Sequence, residues 1–295
     1  MTFAERILKA SSFDAKVSTP SDLEDFFCDF ENQNDESWLL DVSENGYQSR
    51  YSKASVVCDK FGFGKVLSLE AVCDNPLKSY MVSEDIALNQ DKLEINLLSV
   101  SCKEKEKTPN DGFVRRFVEK HYQFLKNWAK AAGVYPENAI VSVEAHSGIL
   151  NDVETRGGYV WATYGFDFVN VHELNQARIC FRDFADKSGV HIALKDLAYF
   201  KHPCHFAAFC CNKDGQNRDL GKEFLLQYSW RGQMTACLSP KSEIYRYAKA
   251  YHEKSKAVAE KELSKPFLKM MKQYLRPKKS FGLISWLLRS KKQRC

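Results

Sequence analysis

No stretch of this sequence approaches the roughly 18 uninterrupted apolar residues that a spanning helix needs, so none is expected. Its opening, MTFAERILKASSFDAKVSTP, lacks the core of a secretory signal: Glu5 and Lys9 break the apolar run and no small-residue cleavage site follows. Paired C-x-x-C knuckles are missing, and the ten cysteines lack the dense, regular spacing of a disulfide scaffold. Free thiols in a reducing cytoplasm are therefore expected, although an effector exported without a cleavable leader would read the same way. Internal repeats are absent. So are acidic residues from 276–295, a segment that holds Arg276, Lys278, Lys279, Arg289, Lys291, Lys292 and Arg294. Against a net charge of +5, those seven cations leave −2 on residues 1–275. A near-neutral body lacks the basic face of a nucleic-acid-binding domain, and no nucleic acid is expected as a partner.

What remains is ordinary globular material. Hydrophobic residues make up 44% and charged residues 27% of 295, which excludes a disordered chain or a coiled-coil rod and suits one or two domains with a proper core. A short amphipathic helix is expected at 2–11, and Ser21 with Glu24 three residues later marks a second helix start. Strand-like runs follow at 38–43, at 54–73 around a glycine-marked turn, at 78–83 and at 93-LEINLLSVS-101. After the charged loop 103-KEKEKTPN-110 and Asp111-Gly112, apolar residues Phe113, Val114, Phe117, Val118, Tyr122, Leu125, Trp128 and Ala129 recur at helical spacing, with Gly133 as the stop. Then comes a second apolar strand, 139-AIVSVEA-145. Strand, helix and strand in this order make a βαβ unit with a parallel pair. Further on are Gly157-Gly158, the aromatic stretch 159–168, a helix at 171–187, short strands and loops over 190–240, and a helical pattern from Lys241 to about Lys272, interrupted at Lys265-Pro266.

Two other clusters carry chemistry. The run 202-HPCHFAAFCC-211 gathers two histidines and three cysteines, but its spacing fits no ordinary zinc site, so buried thiols and a loop histidine are the expected reading and no metal is assigned. His121 and His146 would also fall near the parallel pair. At the C-terminus, Phe281, Leu283, Ile284, Trp286, Leu287 and Leu288 form an apolar block between cationic clusters. Such a block suits an anionic membrane surface, with Trp286 at headgroup depth, or a protein partner; docking on the protein's own body is the alternative.

Three segments in fixed order, 93–133, 139–145 and 158-GYVWATYGFDF-168, resemble the GNAT N-acetyltransferase superfamily, and more narrowly a GNAT-like branch with a GGY-x-WA-x-x-GFDF signature; 220-LGKEFLLQYSW-230 resembles that branch's closing motif. The resemblance covers roughly residues 90–235. It implies an α+β or α/β fold: a mixed, partly splayed sheet flanked by helices, with a C-terminal helical extension. The corresponding divisions are an N-terminal extension (1–50), a GNAT-like domain (51–240), a helical extension (241–275) and a basic amphipathic tail (276–295).

It further implies acetyl-CoA as cofactor and an amine as acyl acceptor. The pantetheine amides would lie between the two apolar strands, against Leu98, Ser99, Val100 and Ser101. The pyrophosphate would meet backbone N–H groups at Asp111, Gly112, Phe113 and Val114, where the helix dipole favours an anion. Glu94 and Glu144 are the carboxylates in reach of general-base work, which burial would favour, and Tyr164 is the candidate proton donor. Trp161, Phe166 and Phe168 read more plainly as core aromatics, with Trp161 also a candidate cofactor contact. This chain has one glycine at the phosphate turn, and Trp161 stands where the family places its tyrosine. The alternative function is therefore a catalytically degenerate GNAT-like module that docks a partner or membrane through its tail. The localisation expected from all this is cytoplasmic, with peripheral membrane attachment through that tail and export as an effector as the alternatives.

Overall fold

The computed structural model describes residues 48–58, 65–74, 78–89, 92–104, 112–132, 135–150 and 153–276. The helices expected at 2–11 and after Ser21, the strand at 38–43, Asp111, Gly133 and the tail from 277 lie outside them.

Strands β1 (Gln48–Cys58), β2 (Lys65–Asp74), β3 (Lys78–Asn89) and β4 (Lys92–Glu104) form an antiparallel meander. In β3, Tyr80, Val82, Glu84 and Ile86 point inward, and in β4 Leu93, Ile95 and Leu97 do so. This period of two is what a half-buried strand requires. Helix α1 (Phe113–Ala132) crosses over to β5 (Ala139–Ala145), which pairs parallel with β4. The buried stripe of α1, Phe113, Phe117, Val118, Tyr122, Leu125 and Ala129, follows the helical repeat. A small hairpin of β6 (Ser147–Leu150) and β7 (Val153–Arg156) precedes α2 (Gly157–Thr163).

The sheet is completed by β8 (Asp167–Phe168) and a late strand, β11 (Trp230–Thr235), which inserts between β5 and β8 to give the order β1-β2-β3-β4-β5-β11-β8. The protein is thus a mixed α+β molecule with a mostly antiparallel seven-stranded sheet flanked by helices. Between β8 and β11 lie α3 (Val171–Lys187), α4 (Leu194–Leu197), α5 (Pro203–Ala208), the hairpin β9 (Cys211–Lys213) and β10 (Gln216–Arg218), and α6 (Leu220–Leu225). Phe181, Phe200, Phe206, Phe209 and Phe224 fill the interior of this half, and Phe267 joins them from the C-terminal helices.

Two local expectations are corrected: 190–240 holds the short helices α4, α5 and α6 besides its short strands, and the stretch from Lys241 is not one helix. The aromatic stretch from 159 begins inside α2 and turns at Gly165, whose φ of +91° an L side chain rarely adopts. The segment from Lys241 is several short helices: α7 (Glu243–Glu253), α8 (Lys256–Ala259), one 3-10 turn and α9 (Lys265–Leu275). Pro266 starts α9 rather than interrupting a longer helix, because a first-turn position has no intrahelical N–H bond to lose. Among the described residues, no helix is long and apolar enough to cross a membrane.

Candidate functional site: a cleft where two parallel strands part

The parallel ladder between β4 and β5 runs from Leu93↔Ala139 to Leu97↔Val143 and stops. Both strands continue, β4 to Glu104 and β5 to Ala145, while β5 stays paired with β11 through Ala145↔Trp230. On its other side β4 stays paired with β3, but the register slips: Glu84 faces Leu97 and Ser83 faces Ser99, leaving Leu98 as an extra residue in a bulge. A bulge bends and twists its strand. Here it falls at the residue where β4 leaves β5. Leu98, Ser99 and Ser101 are exposed and Val100 is half-buried. The four strand residues expected to border a ligand therefore lie together along the open part of β4.

Helix α1 begins at the same end of the strand pair, since it follows β4 and crosses back to the start of β5. Gly112, with φ of +73°, turns the chain into it and accepts a hydrogen bond from Arg116 N at 3.1 Å. Phe113 buries its ring against Tyr80, 3.9 Å between centroids, so only its backbone is on offer, and Val114 is half-buried. The first turn contains no acid. Instead it carries Arg115 and Arg116, which sequence reasoning missed. Two cations at the positive end of a 20-residue helix run against the macrodipole, a mismatch readable in the sequence. The Nε of Arg115 is buried with no hydrogen-bond partner among the described residues, and a Cβ on residue 112 would lie 3.2 Å from Nη1 of Arg116.

The proposed acid–base residues are not brought together. Glu144 stands just past the end of the ladder, 62% exposed, with His146 Nε2 at 3.2 Å. Glu94 sits at the opposite end of the ladder, engaged by Lys92 Nζ at 2.9 Å and by the Ser142 hydroxyl at 3.0 Å. Neither carboxylate is buried in an apolar pocket. Tyr164 is buried, its ring stacked 3.9 Å from that of His252 on α7. His252 donates Nε2–H to the Thr163 carbonyl, and burial, with Arg115 nearby, pushes its pKa down to about 4. Trp161 is buried against Phe166 and Tyr164, in the core as its plainer reading had it. The double glycine has a packing cause. A Cβ on Gly158 would meet Leu225 O at 2.4 Å, while Gly158 N donates to Ser147 Oγ and Gly158 O accepts from Trp230 Nε1.

His121 and His146 acquire separate partners. His121 is in the core, with Nδ1 on Phe117 O at 2.8 Å and Nε2 on Glu84 Oε2 at 2.9 Å. Glu84 was also missed, although a charge at an inward position of an alternating strand is a readable signal.

In the 202–211 cluster, His205 is buried within α5 rather than on a loop. Its Nδ1 accepts from Lys201 N and His202 N, both at 3.1 Å, and its Nε2–H donates to Glu243 Oε1 at 2.8 Å. Both ring nitrogens are thus committed. Burial lowers the His205 pKa, against the pull of Glu243, and the imidazole is neutral. Burial alone would raise Glu243, but the bonds from His205 and Ser264 N outweigh it and hold the carboxyl at about 2. Burial and the bond to Asp219 push the Cys210 thiol up to about 12, so it is not a ready nucleophile. Among the described residues, no group of His, Cys, Asp and Glu is arranged to hold a metal ion.

No protein family, curated protein or solved structure matches this chain.

Proposed function

We propose that the chain is a GNAT-like protein that binds an acyl-CoA thioester between β4 and β5 and passes the acyl group to an amine. The carrying observation is the end of the parallel ladder at Leu97 and Val143, beside the start of α1. An opened strand edge offers unpaired N–H and C=O groups to pantetheine amides. The first-turn amides of α1 and its two arginines offer donors to a pyrophosphate. The sheet order and the parallel β4–α1–β5 unit also support a GNAT-type layout. In transfer, the neutral amine nitrogen attacks the thioester carbonyl, the C–S bond breaks, and the thiolate leaves and takes up a proton. Glu144, at the open end, is the better placed of the two carboxylates to accept the amine's proton; Glu94 is at the far end and already engaged.

The test is thermal melting with CoA and acetyl-CoA. At 100 times its Kd a ligand adds about 2.7 kcal/mol to stability, a rise of several degrees. Arg115→Glu should remove that rise while leaving the unliganded melting temperature within a degree or two. A flat response of the unaltered protein at millimolar acetyl-CoA overturns the reading.

A second reading is favoured by one observation: the Tyr164 ring is buried against His252, and the family's tyrosine position holds Trp161. The chain would then bind the thioester without turning it over, and engage a membrane or protein through residues 276–295. Acetyl-CoA binding with no thiol release across a panel of amines separates this from the first reading. Loss of liposome co-sedimentation on removing the tail tests the membrane part.

A further inference from the structure

The geometry points to the buried Glu84–His121 pair as the element that positions the bulge of β4, and through it the width of the cleft, rather than as a contribution to stability. This inference rests on the acyl-CoA reading of that cleft. Both side chains are 1% exposed, and they join β3 to the middle of α1. Phe117 O can only accept, so Nδ1 of His121 carries a proton. The 2.9 Å contact between Nε2 and Glu84 Oε2 then needs a second proton, held by the imidazole or by the carboxyl. Either form puts an ionic or acidic hydrogen bond among buried apolar residues, with the Phe117 ring 4.1 Å from that of His121. The other carboxylate oxygen, Oε1, is buried with no partner among the described residues.

For stability this is a poor arrangement. A buried pair rarely gains over well-packed apolar residues of similar size, and an unpartnered carboxylate oxygen adds a desolvation cost. Its location is what sets it apart. Glu84 is the β3 residue at the register slip, directly opposite Leu97, the last β4 residue paired to β5. One contact thus fixes α1, β3 and the bulge relative to one another. The ligand-facing consequence is the placement of Leu98 to Ser101 relative to the turn at Gly112, which one ligand would have to span. Misplacement by about 1 Å is enough to cost up to 100-fold in a positioned interaction.

The experiment compares the intact chain with Glu84→Gln and with the double variant Glu84→Met/His121→Phe. It measures melting temperature, CoA affinity by calorimetry, and hydrogen exchange over residues 98–104. In Glu84→Gln the amide can donate to a neutral His121 Nε2, so the clamp persists. The expected result is CoA affinity within about threefold of the intact chain. The double variant should keep its melting temperature, because apolar residues fill the space. It should nevertheless bind CoA at least about tenfold more weakly and exchange faster over 98–104. A double variant that matches the intact chain in affinity and exchange overturns the inference, and so does a Glu84→Gln variant that loses as much as the double. If the intact chain binds no CoA, the acyl-CoA reading fails on its own. Hydrogen exchange over 98–104 then still decides whether the pair sets the bulge: faster exchange in the double variant supports it, and unchanged exchange overturns it.

Discussion

Two buried histidine–carboxylate pairs, Glu84–His121 under the cleft and His205–Glu243 at the C-terminal helices, use their hydrogen-bonding capacity very differently. Both histidines have both ring nitrogens engaged, but His205 Nδ1 takes two backbone amides and Glu243 Oε1 also accepts from Ser264 N. The second pair therefore ties α5, the start of α7 and the start of α9 into one latch and satisfies three backbone amides on the way. Phe267, its ring tilted against that of His205 at 4.4 Å between centroids, and the Tyr274 hydroxyl donating to Asp196 at 2.7 Å, close the same seam. The first pair has a comparable distance but one carboxylate oxygen without a partner among the described residues, and it sits at a strand irregularity. A short buried contact therefore does not on its own reveal its role. What the contact leaves satisfied or unsatisfied around it does.

The widest separation between the two should come from apolar double substitution. His205→Phe/Glu243→Met strands the amides of Lys201, His202 and Ser264, at about 1–3 kcal/mol each where they stay dry, so a loss of roughly 3–5 kcal/mol is expected. Thermal unfolding should show a drop on the order of 10 °C. Hydrogen exchange should rise over 241–276 before α1. The equivalent change at Glu84 and His121 should leave stability nearly unaltered, and equal losses in the two doubles would erase the distinction.

A next test strikes the frame shared by both halves. Gly158→Ala puts a Cβ 2.4 Å from Leu225 O and 2.5 Å from Tyr228 O, contacts with backbone that cannot swing away. A loss of about 1–3 kcal/mol is expected in denaturant titration. A neutral result would show that α2 can shift away from the 225–228 turn.

Acid should sharpen the comparison with a smaller effect. His205 titrates below its ordinary 6.5 in the folded chain, so its contribution is complete above that pH and is lost as pH falls below it. Glu243, held at about 2 against an ordinary 4.5, gives a contribution complete above 4.5 and lost as pH falls toward 2. Loosening of the latch should therefore begin on the histidine side. Between pH 7 and pH 5, proteolytic cleavage within 241–276 should rise relative to cleavage in α1. Constant protection of the C-terminal helices across that interval would contradict a neutral, doubly engaged His205.

The smallest expected change is favourable. The Tyr247 hydroxyl is buried with no partner among the described residues. Tyr247→Phe should be neutral or stabilising by up to about 1 kcal/mol, read as a small rise in melting temperature. A clear loss would mean that the hydroxyl does find a partner in solution.

Much of the frame was legible in the chain. The stripe from Phe113 to Ala129 and the alternation of 139-AIVSVEA-145 reported a helix and a strand because both patterns are local, repeating within one or two turns or residues. Pro266 was misread as an interruption, because proline signals a helix break and a helix start with the same residue. The first-turn arginines and the inward Glu84 were visible but carried no partner. Glu84 meets His121 37 positions away, and His205 meets Glu243 38 positions away.

Short-range periodicity was enough to specify the βαβ unit, and the residues alone give no 18-residue apolar run and a near-neutral net charge over 1–275. Where β4 leaves β5, which residue bulges, which backbone amides His205 caps and which buried carboxylate oxygen lacks a partner among the described residues follow only from the packed molecule. Those outcomes depend on cross-strand register and on helices packed from distant parts of the chain, and a one-residue slip at Leu98 changes them without changing any local pattern.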